Sequence, residues 1–190
     1  MNLCRFVKWT EYISRRFRPI HIDTAVAGKI SSKHADWYGK LDSAICGKDT
    51  VIRIHSPSHF IRSEADQPSD LQYQALASYL SNETRLRQAV ASAIFETYNE
   101  IRETNMPGSA HINPFTGENG IENIDEQFPP LEKAADVWKR ITDGNIEVMS
   151  LPQTGYPGLE ISLNWNADWD DEHGLHVLIG DNRVLEARME

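Results

Sequence analysis

Residues 159–189 read LEISLNWNADWDDEHGLHVLIGDNRVLEARM, and their alternation decides the fold. Leu159, Ile161, Leu163, Trp165, Ala167 and Trp169 fall on one side of an extended chain, while Glu160, Ser162, Asn164, Asn166 and Asp168 fall on the other. A period of two is the pattern of a strand with one face on a core and its polar face in water. An acidic loop over 168–174 follows, in which Gly174 is expected at positive φ. Leu175, Val177 and Ile179 then resume the alternation. Asp181-Asn182 supplies a pair that tolerates positive φ, as a two-residue hairpin turn requires. Leu185, Ala187 and Met189 alternate with Glu186 and Arg188, so the segment reads as a three-stranded meander.

Upstream, residues 146–151 alternate as another strand. Leu131, Ala134, Ala135, Trp138 and Ile141 predict a short helix after Pro129-Pro130, ended by a C-cap glycine near Asp143-Gly144. Ser69 and Gln72 stand three apart at the head of an apolar stripe, Leu71, Ala75, Leu76, Tyr79 and Leu80; this is a capping box opening a helix. Ser81-Asn82-Glu83 is expected to break or cap again, and Leu86, Val90, Ala93, Ile94, Tyr98 and Ile101 to carry a second helix to Glu103. Tyr73, Tyr79 and Tyr98 are read as packing residues. A hairpin is expected over 37–55 with its turn at Gly47-Lys48-Asp49. Residues 19–33 read as a connection, and Phe6, Trp9, Ile13 and Phe17 predict a basic amphipathic helix over 3–17, stopped by Pro19. The excursion over 105–130, rich in Gly, Pro and Asn, is long enough to be functional or mobile.

The fold expected is α+β: a mainly antiparallel sheet from the hairpin at 37–55 and the strands from 145 onward, with helices at 70–103 and 131–142 on one face. Residues 34–190 read as a single domain, and 1–33 as a basic segment packed on it. A chain of 190 residues buries roughly 70% of its unfolded surface and needs no staple. Cys4 and Cys46 stand alone and fit a reducing compartment. No apolar run approaches the roughly 20 residues that span a bilayer, and the first residues lack the apolar region of a signal peptide, so the cytoplasm is the expected location. The net charge of −9 is uneven: in residues 1–33 seven Lys or Arg face Glu11 and Asp23, a balance of +5 that leaves −14 elsewhere. An acidic body disfavours nucleic acid and favours basic partners.

Trp169-Asp170-Asp171-Glu172-His173-Gly174-Leu175, running on into the hairpin, resembles an uncharacterised family of bacterial domains with a Trp-Asp-x-Glu-His-Gly-Leu signature. The resemblance extends to Trp37-Tyr38-Gly39 and to residues 93–98, and covers roughly 37–187. His176 departs from it, since the family more often has a small residue there. The resemblance implies a fold and no reaction; such domains look like those found near bacterial toxin and immunity genes, an associational hint.

Asp168, Asp170, Asp171, Glu172 and His173 form the candidate site. Their mutual repulsion calls for a cation, solvent or a basic partner. An EF-hand starting at Asp168 fails, because His173 occupies its glycine position and Ile179 its final glutamate position. Zinc finds only His173 and His176, with Glu172 or the distant His111 to complete a set; His55 and His59 have metal-pair spacing, but Pro57 between them opposes a helix. General acid/base use of Glu172 and His173 is chemically open, though no paired nucleophile is present. A purely architectural loop, with Asp171 or Glu172 accepting backbone N–H bonds and Trp165 and Trp169 anchoring the meander, is the competing account. The function expected is a non-enzymatic binding protein, immunity-like, that occludes a basic partner such as a toxin. No cofactor, metal, nucleic acid or stable membrane insertion is expected. The alternatives are a metal-assisted hydrolase using Glu172, His173 and His176, and a membrane-peripheral protein using the helix at 3–17.

Overall fold

The computed structural model describes residues 19–33, 36–56, 66–106, 124–150 and 156–190. The helix expected at 3–17, His59, His111 and most of the 105–130 excursion lie outside the described residues.

Eight strands form one sheet in chain order: β1 (His21–Thr24), β2 (Gly28–Lys33), β3 (Asp36–Ser43), β4 (Gly47–His55), β5 (Ile141–Val148), β6 (Ile161–Ala167), β7 (Asp170–Gly180) and β8 (Arg183–Met189). All neighbours are antiparallel except β4 and β5. A parallel pair needs a crossover, and helix α1 (Asp70–Thr104) supplies it. The architecture is the expected α+β one, with β6, β7 and β8 as its C-terminal meander. Asp181 and Asn182 take φ of 50° and 56°, the paired positive values of the two-residue turn between β7 and β8.

Residues 19–33 are not a connection but the β1–β2 hairpin. Its turn is closed by Thr24 Oγ1, which accepts from Ala27 N at 2.9 Å and donates to Gly28 O. The turn between β3 and β4 sits at Ala44–Cys46, three residues before the expected one, and Gly47 opens β4 at φ 108°.

The two expected helices are one, of 35 residues, opened by the predicted Ser69/Gln72 capping box. Ser81 and Asn82 do not break it, because their side chains donate to the carbonyls of Ala77 and Ser78 one turn back, each at 2.8 Å. Glu83 turns inward instead. It accepts from Ser43 Oγ and from Ala44 N at 2.9 Å, tying the middle of α1 to the β3–β4 turn. On the other flank Ser78 and Asn182 exchange side-chain bonds, and Thr97 Oγ1 donates to Ala187 O of β8.

The helix expected at 131–142 is a 3₁₀ turn, Ala134–Lys139, and Ile141 already belongs to β5. Asp143 lies at φ 56° in a bulge of that strand, so Gly144 is no C-cap. A Cβ on Gly144 would stand 2.7 Å from Trp165 Nε1 and 2.9 Å from Cys46 Cβ, and that close approach is what requires glycine. A second short helix, α2 (Ile124–Gln127), precedes the 3₁₀ turn.

The core lies between α1 and one sheet face, where Trp37, Ile52, Ile54, Ile146, Leu163, Leu175 and Val177 meet Leu76, Val90, Ile94 and Tyr98. The opposite face is polar but not wet throughout. Glu160, just before β6, and Ser162 and Asn164 within it, expected in water, are 0%, 4% and 8% exposed, so β6 is buried on both faces over this stretch.

Candidate functional site

The acidic turn is shorter than expected: Asp168 and Trp169 join the strands, and β7 begins at Asp170 with a bulge before Gly174 pairs with Asn166. Trp169 is buried and meets Tyr98 of α1 edge-on at 4.9 Å; Trp165 meets Trp138 at 6.1 Å. Both tryptophans thus anchor the meander, and Tyr98 is a packing residue.

Two carboxylates of the turn, Asp168 and Asp170, already have partners. Asp168 Oδ1 accepts from Arg140 Nε at 2.6 Å. Asp170 Oδ1 takes backbone bonds from Glu172 N and His173 N at 3.1 Å each, and it lies 3.0 Å from His173 Nδ1. Asp171 follows on β7, and Glu172 and His173 are exposed. Gly174 is not at positive φ. It is extended and exchanges both backbone bonds with Glu190.

The structure adds residues that sequence reasoning did not connect to the turn. Gln127 Nε2 donates to Trp169 O at 3.3 Å, and Arg140 Nη2 to Gln127 O, so Arg140 joins α2 to Asp168. Asp125 and Glu126, both exposed, lie on α2, the short helix that Gln127 and Arg140 tie to the Asp168–Trp169 turn. Arg102 pairs with Asp125 and also donates to Phe128 O at 2.8 Å. The only hint in the sequence is the acidic content of residues 125–126, since their approach depends on the tertiary path.

His176 is separated from this turn by direction. It lies on the polar sheet face opposite Asn164 and Arg188, with Nδ1 3.8 Å from Glu190 Oε2. That face also carries a ring of four charged or titratable side chains across β3, β4 and β5. Arg53 Nε and Nη2 donate to Asp36 Oδ2 at 2.8 and 2.7 Å, and Arg53 Nη1 reaches Glu147 Oε1 at 3.5 Å. His55 Nε2 faces Glu147 Oε2 at 2.6 Å, and its Nδ1 lies 3.6 Å from Asp36. The hydrogen bond from His55 holds the Glu147 carboxyl below the usual carboxylate range against the upward pull of burial; the fields of His55, Arg53 and His176 act in the same direction as the bond. A groove of about 660 Å³ lies beside the ring, lined in part by Tyr38, Arg53, Asn145 and Glu147.

Cys46 is half-buried, and desolvation pushes its thiol pKa up to about 12, so it is no nucleophile near neutrality. Among the described residues no group of three or more His, Cys, Asp and Glu side chains is placed to hold a metal ion. Among them, too, no helix is long and apolar enough to cross a membrane.

These features define an α+β domain with one long helix on a single eight-stranded sheet and an acidic end braced by arginines. The chain belongs to a family of domains of unknown function, DUF6985, whose model matches residues 26–189. No curated protein and no solved structure matches the chain.

Proposed function

We propose that this chain is a non-enzymatic, immunity-like binding domain that occludes a basic protein with its acidic end. The observation that carries the reading is that Gln127 and Arg140 tie α2, with its Asp125 and exposed Glu126, to the turn that bears Asp168, Asp170 and Glu172. Asp168, Asp170 and Asp125 stiffen the surface through their own bonds, the last to Arg102, while Glu126 and Glu172 are exposed to meet cations. Preorganised carboxylates of one sign steer and select a basic partner more than they tighten it. A toxin with a basic active site fits this description.

The test is affinity capture from the source organism with the wild-type chain and with Glu126→Gln/Glu172→Gln, both exposed and outside the bonds that hold the turn and α2. Both chains should melt together. A basic protein retained by wild type alone, and released between about 0.1 and 0.5 M salt as screening shortens to a few ångströms, is the expected result. Equal retention by both chains, or retention indifferent to salt, overturns the reading.

The second reading, a metal-assisted hydrolase, draws on the Asp170–His173 contact, in which a carboxylate meets Nδ1 of an exposed imidazole. Metal content of the purified chain, compared with His173→Ala, separates it from the binding reading.

A further inference from the structure

We draw no further inference here: the strongest candidate, the apolar groove of about 560 Å³ between the first turns of α1 and the β7–β8 turn, beside the exposed Leu71, is an unpartnered face, and nothing in the structure shows what covers it.

Discussion

Asp170 and Glu172 stand two residues apart in the same turn and have opposite work to do. Asp170 accepts two backbone N–H bonds and holds the His173 ring, whereas Glu172 projects into solvent. Replacing Asp170 by Ala leaves two amides without their acceptor, so stability should fall by roughly 1–2 kcal/mol. Glu172→Gln should leave it within about 0.5 kcal/mol, as surface changes do. Chemical denaturation of the two variants reads the difference, and equal curves would show that strand pairing alone holds the turn. Cys46 allows a second prediction at this scale. With its thiol pKa near 12, the thiolate is scarce at pH 8, so Cys46 should resist a disulfide reagent in the folded chain and react once denaturant is added. Mapping the labelled peptide distinguishes it from Cys4, and rapid native labelling at Cys46 would mean that the β3–β4 turn opens readily.

At the scale of elements, the joint between α1 and the β3–β4 turn rests on Glu83, which is 6% exposed. Its carboxylate takes Ser43 Oγ and Ala44 N, while Arg87 from the next turn donates to Ala44 O and lies 4.5 Å above the Trp138 ring. Glu83→Ala strands those donors and should cost about 2–4 kcal/mol, the penalty for breaking a buried charged network. A double-mutant cycle with Ser43→Ala should return a coupling of about 1 kcal/mol or more; additive losses would remove Glu83 from this role. The same residue explains what could and could not be read in advance. Alternation along 159–189 and the Ser69/Gln72 box are local, and both survived into the structure. Glu83 looked like a helix breaker because its partners lie some 40 positions away. The β1–β2 hairpin hid behind Lys29, Ser31 and Ser32, among which Ile30 is the one apolar residue of β2, too little for a periodic signal. Asp143-Gly144 carries the residue types of a helix end, yet a bulge in β5 needs the same positive φ.

The whole molecule depends on a seam that no local pattern announces, the parallel contact of β4 and β5 across the α1 crossover. Arg53 and Glu147 are direct partners in its register, and Asp36 and His55 complete a ring with them over that seam. At the same end, Gln72 Nε2 donates to His55 O at 2.6 Å and Met149 O at 3.4 Å, so the helix cap and the ends of both strands close together. None of this was legible beforehand, because alternation gives a strand's faces but not its neighbour. The ring makes stability depend on pH in a definite sense. Glu147 has its folded pKa lowered, chiefly by the His55 bond, below the roughly 4.3 of an unfolded glutamate. Its contribution is therefore complete above about pH 4.3 and is lost as pH falls through the folded value. Glu147→Gln removes that titration while retaining the shape of the side chain, so its stability should decline less steeply than wild type between about pH 4.5 and 2.5. Other carboxylates titrate in both chains and cancel in the comparison. Urea midpoints measured down the acid limb would settle the point. Convergence of the two curves as acid is added is the expected outcome, and parallel curves would mean that the seam is held by its backbone bonds and by Ile52, Ile54, Ile146 and Val148 beneath it, without help from the charges above.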